Sequence, residues 1–261
     1  MTEKYYGQHG EDFLLNRIFQ GKSSGYYVEI GCLDGIEFSN TYFFEKKGWK
    51  GLCIEAHNDF ITQLKKNRPA ATIVHCAVGE KDLEEVTFYA NKLGSLSTLD
   101  KSEELRWQQD HYKEFFHGFV EQKVPMKTLN TIFSDTGVKE IDFISLDIEG
   151  YEIHALSGLD LSKYRPRIFI IEYKDDIHKA GLEAILLKAG YFFHAKIGCN
   201  LFYGTRKEDK KVFTTSHNSI NLVSFDAEGK EKINPYKIQR NTLVKKVKNR
   251  LSILKNSITK K

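Results

Sequence analysis

With 261 residues, 41% apolar and 28% charged, the chain is long enough to bury a core and too hydrophobic for wholesale disorder, so one main domain is expected. The net charge of +4 is uneven: residues 230–261 carry eleven Lys or Arg against the single acid Glu231, leaving residues 1–229 with 28 basic and 34 acidic side chains. An acidic body opposes a nucleic-acid surface, and four scattered cysteines (Cys32, Cys53, Cys76, Cys199) without a Cys-x-x-Cys pair exclude a zinc ribbon and a disulfide framework.

Reduced thiols fit a cytoplasmic setting. The N-terminus, MTEKYYGQHGEDFLL, has no apolar h-region, and no run of about 18 uncharged apolar residues occurs, so neither export nor a membrane span is expected. Along the chain, apolar runs rich in Val, Ile, Phe and Tyr alternate with amphipathic stretches, the pattern of a parallel sheet covered on both faces by helices. Strands are predicted at 26–30, 51–54, 72–76, 141–146 and 167–172, and helices at 11–19, 40–47, 61–67, 152–156 and 180–189. Residues 191–197 and 200–203 flank Gly198 and Cys199 closely enough for an antiparallel hairpin. Five parallel strands and a terminal hairpin give a Rossmann-like α/β fold, a mostly parallel seven-stranded sheet.

Residues 91–122 interrupt the alternation with Trp107, His111, Tyr112, Phe115, Phe116 and His117, and a connection this long suggests a lid. The domain is expected over 1–205, followed by a variable extension, 206–241, with a second hairpin over 221–233. In the tail, 242–261, Val244, Val247, Leu251, Leu254 and Ile258 put one apolar stripe on a basic helix. Such a helix suits docking on its own domain, an oligomer contact, or peripheral contact with the inner membrane face.

The chemistry concentrates at strand ends. Residues 27–35 read Tyr-Val-Glu-Ile-Gly-Cys-Leu-Asp-Gly, a buried strand entering a glycine turn in which Gly31 and Gly35 let a ligand approach the backbone. The dinucleotide fingerprint is Gly-x-Gly-x-x-Gly with a pyrophosphate on the helix N-terminus. Here Glu29 and Asp34 would repel a pyrophosphate and suit a cationic sulfonium bearing an amino group, which points to S-adenosylmethionine rather than NAD. Glu55 ends the second strand 24 residues after Gly31, near the spacing of about 20 at which an acid accepts ribose hydroxyls. Ala77, in the small apolar run after the third strand, is placed for an adenine edge. The fourth strand delivers Asp147 and Glu149 to the carboxyl edge, where open α/β sheets bind ligands, and the fifth delivers Glu172.

These residues resemble the FkbM-type S-adenosylmethionine-dependent methyltransferases. The resemblance lies in Tyr6-Gly7-Gln8-His9-Gly10-Glu11-Asp12, Val28-Glu29-Ile30-Gly31, Ser39-Asn40-Thr41-Tyr42-Phe43-Phe44-Glu45, the run from Gly48 to Glu55, and the run from Ile141 to Glu152, covering roughly residues 5–205. It implies a class I methyltransferase fold and O-methylation of a hydroxyl on a sugar or glycan precursor of capsule or lipopolysaccharide type. By position it gives Glu29, Gly31 and Asp34 the methionine end of the cofactor, Glu55 the ribose and Ala77 the adenine, with Ser39 and Asn40 closing the pocket.

A sugar hydroxyl must lose a proton, so a base is needed, and Asp147, Glu149 and Glu172 are the candidates. Hard carboxylates also suit Mg²⁺, although they do not by themselves define a metal site, and none is assigned. His9 and His75 are further residues near the cleft, and Gln8 is placed to orient an acceptor. Two other readings remain: a methyltransferase with a different small-molecule acceptor, and a non-catalytic S-adenosylmethionine sensor whose tail binds a partner.

Overall fold

A computed structural model describes residues 3–109, 112–214, 224–225 and 231–232. In chain order the elements are α1 (Glu11–Ile18), β1 (Tyr26–Ile30), α2 (Tyr42–Lys46), β2 (Lys50–Glu55), α3 (Ile61–Asn67), β3 (Ala71–His75), β4 (Ala77–Val78) and β5 (Leu83–Asn91). Then follow α4 (Glu103–Trp107), β6 (Phe119–Lys127), α5 (Leu129–Asp135), β7 (Phe143–Leu146), α6 (Glu152–Ser157), β8 (Ile168–Glu172), α7 (Asp176–Lys188), β9 (Phe192–Ile197), β10 (Asn200–Gly204), β11 (Ser224–Phe225) and β12 (Glu231–Lys232).

Seven strands form the main sheet in the order β3-β2-β1-β7-β8-β10-β9. The first five run parallel, β10 pairs antiparallel with both β8 and β9, and β1 is held between β2 and β7. From β1 the chain builds outward to β3 and then returns to β7 on the other side of β1. The crevice at this reversal is where open α/β sheets receive ligands.

The strands read as continuous apolar runs because both faces are covered. Val28, Ile30, Leu52, Ile54, Ile144 and Leu146 point into one core with Leu129, Phe133, Leu156 and Leu182 of the helices. Their alternate neighbours Tyr27, Cys53, Phe143 and Ile170 point into a second core with Leu14, Leu15, Phe43 and Phe44. Side chains alternate along a strand, so each strand feeds both cores. Each large side chain buried this way contributes about 1.5–3 kcal/mol relative to exposure.

Helix starts follow local chemistry. Thr128 caps α5 by accepting from the Thr131 amide at 3.1 Å, and Asp175 caps α7 by accepting from the His178 amide at 2.7 Å. The expected elements of the main sheet appear within a few residues of their predicted bounds. The interruption over 91–122 differs from a plain insertion, because β5 and β6 pair antiparallel at its base, with β4 parallel to β6. Both long strands carry exposed charged residues, Glu84, Glu85, Glu121 and Lys123, and these dilute their apolar signal.

The packed body continues past residue 205: Arg167 forms a two-pronged pair with Asp209 at 2.9 and 2.6 Å, and Phe213 packs on Phe202. Within the expected second hairpin, β11 and β12 pair antiparallel. The predicted tail helix, 242–261, lies outside the described residues, and among those described no helix is long and apolar enough to cross a membrane.

Candidate active site

A cavity of about 930 Å³ opens at the carboxyl ends of β1, β2, β7 and β8. Its floor is the turn after β1. Gly31 has φ +83°, its amide donates to the Ile54 carbonyl at 3.0 Å, and a Cβ there would lie 1.8 Å from the Asp147 carbonyl. The chain can pass between β2 and β7 only without a side chain at this position. Glu55 is fixed at the end of β2 by two backbone amides, one carboxylate oxygen accepting from Leu33 and the other from His57, both at 2.7 Å. Its carboxylate borders the cavity, and Ala77 lines the same side.

Glu29 behaves differently from a simple ligand-facing acid. It borders the cavity but is 4% exposed, and its oxygens accept from the Ser39 hydroxyl, the Asn40 amide, the Thr41 hydroxyl at 2.8 Å and the Arg68 guanidinium at 2.9 Å. The carboxylate predicted to grip the methionine end is therefore turned into an internal ion pair. Asp34, predicted beside it, does not line the cavity; one of its oxygens accepts from the Ile36 and Glu37 amides and shapes the turn. Short polar side chains favour such local bonds to their own loop. Ser39 and Asn40 do border the cavity, and Asn40 reaches across to donate to the Ser145 hydroxyl at 3.0 Å.

The acids of β7 and β8 converge. Asp147 keeps solvent contact through the open cleft, and the Glu172 carboxyl lies beside it. Oxygens of Asp147, Glu172 and the fully buried Glu152 all lie within 4.8 Å of one another. Glu152 accepts from the Ile148 amide at 2.9 Å and from the Gly150 amide, and His178 lies 3.3 Å behind it. Glu149 sits at φ +55° with one oxygen accepting from the Leu96 amide at 3.0 Å, while its carbonyl accepts from the Thr98 hydroxyl. A non-glycine residue in this region marks a backbone held by its surroundings.

Crowding moves the proton affinities of this group. Desolvation raises Asp147 to about 6, with the Glu172 hydrogen bond opposing and the carboxylates of Glu11, Glu29 and Glu55 adding to the rise. Glu149 is pushed up to about 8 by desolvation and then by Asp147, and Glu152 to about 7 by desolvation. Glu172 is held well above the usual range by desolvation and by the charge of Asp147. Like charges this close cannot all ionise, so Glu172 keeps its proton and Asp147 is the carboxylate of the pair.

The roof is the segment between β5 and β6. Trp107 is fully buried against Phe116 and Phe119 and forms the roof's own core. Tyr112 and Phe115 line the cavity instead, with the Arg106 guanidinium 5.5 Å above the Tyr112 ring. Glu103, at the start of α4, pairs with Lys174 at 2.5 Å and ties the roof to the residues after β8. Opposite lie Gln8 and His9; the His9 ring is 3.7 Å from the Cys199 sulfur on the β9–β10 turn. His75 does not line the cavity and faces the Ala56 carbonyl. Sequence spacing missed Arg68, which lies 39 residues from its partner Glu29, and a guanidinium that the fold fully buries carries no local signal.

The residues fit a cationic adenosyl cofactor better than a dinucleotide. The glycine turn leaves a cradle that a side chain would fill, and the carboxylates of Glu55 and Asp147 border the cavity, where a pyrophosphate would meet repulsion.

The methyltransferase FkbM domain model matches residues 29–193. Among solved structures the chain is similar to a TehB-like S-adenosylmethionine-dependent methyltransferase from Corynebacterium glutamicum, at 12% identity and TM-score 0.41, over 78% of this chain and 89% of that one. It is also similar to a precorrin-6y C5,15-methyltransferase from Geobacter metallireducens, at 7% identity and TM-score 0.42, over 74% of this chain and 84% of that one. A search of curated proteins gives no match. The FkbM match spans more than half of the chain, from Glu29 near the end of β1 through β2, β7 and β8 with their acids, and the protein therefore belongs to the FkbM family of S-adenosylmethionine-dependent methyltransferases.

Proposed function

We propose that the protein O-methylates a hydroxyl of a sugar or glycan precursor, with Asp147 as the base. The observation that carries this reading is the Asp147–Glu172 carboxyl pair facing, across one cavity, the aromatic residues Tyr112 and Phe115. The cofactor supplies a methyl group on a positively charged sulfur. Asp147, the ionised member of the pair, takes the proton that the acceptor hydroxyl must lose, and Glu172 holds the remaining proton. Aromatic faces such as Tyr112 and Phe115 stack on the apolar faces of sugar rings and shed water from the reacting groups. Glu55 and Ala77 are assigned the ribose and adenine ends, with Gly31, Ser39 and Asn40 nearest the methionine end. Glu149 braces the roof through Leu96.

The setting that fits is capsule or lipopolysaccharide-type biosynthesis on the cytoplasmic side, with the basic tail as the membrane or oligomer contact. The oxygens of Asp147, Glu152 and Glu172 are where Mg²⁺ would sit if the reaction used it.

The deciding experiment incubates the protein with methyl-labelled cofactor and neutral, acidic and lipid-linked glycan precursors, with and without a chelator. Label on a sugar hydroxyl supports the reading, and an unchanged rate in chelator removes the metal from it. Label only on a non-sugar acceptor moves the reading to another small molecule. Cofactor binding without transfer to any acceptor favours a sensor.

A further inference from the structure

The end of α3 supplies a side chain that organises the cofactor turn from behind. Arg68 is 0% exposed and does not line the cavity. Its Nε donates to Glu45 on α2 at 2.6 Å. Its Nη1 donates to Glu29 on β1 at 2.9 Å, to the Gly35 carbonyl at 3.0 Å and to the Ser39 hydroxyl at 3.3 Å, and its Nη2 donates to the Thr41 hydroxyl at 2.7 Å. One guanidinium thus bonds to the strand before the turn, to three positions along it and to the helix after it. A planar fork of five donors can do this; an ammonium, with one nitrogen, cannot reach all five partners.

The turn is also moulded around the arginine stem. Gly35 has φ +81°, and a Cβ there would lie 2.6 Å from Arg68 Cγ. The guanidinium stacks 5.2 Å from the Tyr27 ring, and Tyr27 donates to the same Glu45 oxygen at 2.6 Å. Glu29, bound to Arg68 and to the residues at 39–41, is the link between this hidden charge and the cavity wall.

We propose that Arg68 is a positioning residue for cofactor binding: it acts through Glu29, Gly35, Ser39 and Thr41 to hold residues 31–41 in the shape that receives the methionine end, without touching the cofactor. This rests on the cofactor occupying the cavity described above. The acid at 29 then serves as the anchor for this arginine rather than as the direct partner of the ligand's ammonium.

The test measures S-adenosylhomocysteine affinity by calorimetry, thermal midpoint, and backbone hydrogen exchange over residues 31–41, in the full chain. Arg68→Met is expected to weaken binding about 10- to 100-fold, the scale of misplaced binding groups, and to speed exchange across 31–41. Two variants separate positioning from general destabilisation. Phe133→Leu removes packing from the core on the other face of the sheet and is expected to lower the midpoint while leaving affinity within about twofold of the parent. The double variant Glu29→Gln with Arg68→Met leaves no unpaired charge at the Glu29 position, so it is expected to regain part of the midpoint but not the affinity, and it decides the matter where the single variant does not fold. Wild-type affinity in either Arg68 variant, or a loss in Phe133→Leu as large as in Arg68→Met, overturns the proposal. Failure of the parent protein to bind S-adenosylhomocysteine overturns the cofactor reading beneath it.

Discussion

Asp147 and Glu172 divide one acidic site into two roles. Because crowding favours the shared proton on Glu172 and pushes the Asp147 carboxyl up to about 6, methyl transfer to a hydroxyl is expected to rise with pH through about 6. Asp147→Asn should lower kcat by about 10²- to 10⁴-fold, the usual weight of a positioned base, and abolish that acid limb. Glu172→Gln mimics the protonated acid, so the limb should persist. A pH-rate profile that keeps its limb in Asp147→Asn would remove the base assignment. Gly31 makes a second residue-level case. Gly31→Ala adds a Cβ 1.8 Å from the Asp147 carbonyl at φ +83°, a conformation that alone costs about 1–2 kcal/mol for an L-residue. The expected result is a lower thermal midpoint together with loss of S-adenosylhomocysteine binding; wild-type binding in this variant would show that the turn has room the geometry denies.

Among the elements, α7 and the roof answer to different physics. α7 runs 13 residues from the Asp175 cap, and its Leu182 and Leu186 are fully buried. Asp175→Ala leaves the His178 amide without its cap and should cost about 1 kcal/mol in chemical denaturation; no change in midpoint would mean that the tertiary packing of Leu182 and Leu186 alone sets the start of α7. The roof has its own small core around Trp107, and it is joined to the sheet edge through Glu103 to Lys174 and Leu96 to Glu149. Replacing both Tyr112 and Phe115 with Ala should raise the KM for a sugar acceptor while leaving cofactor affinity near wild type, because the cofactor-side residues lie on other elements. Equal loss of both affinities would place these rings over the cofactor instead.

At the scale of the molecule, buried acids make stability depend on pH with a definite sign. Asp12 and Glu152 are raised to about 7 and Glu149 to about 8, each chiefly by desolvation. An acid whose folded value exceeds its unfolded value binds its proton more tightly when folded, so its penalty is absent below the unfolded value and grows as pH rises through the folded one. The ligand-free protein is therefore expected to have a higher thermal midpoint near pH 6 than near pH 8.5. A midpoint that climbs over this interval would mean that these carboxyls are not the groups that govern it. S-adenosylhomocysteine at about 100 times its Kd should add about 2.7 kcal/mol through mass action.

The sequence by itself determined the five parallel strands, the closing hairpin and the strand ends that carry Glu55, Asp147, Glu149 and Glu172. Each of these is written in a local run, since a buried strand must be continuously apolar and the polar residue that ends it must sit at the sheet's edge. The β5–β6 ribbon was harder to read because exposed charges interleave with its apolar residues. Only the tertiary structure decided where the carboxylates point: Glu29 into an ion pair with Arg68, Asp34 into its own turn, Glu172 onto Asp147. Spacing brings an acid to an edge, but the direction it faces depends on which donor the fold brings within reach, and for Glu29 that donor is Arg68, from the far end of α3.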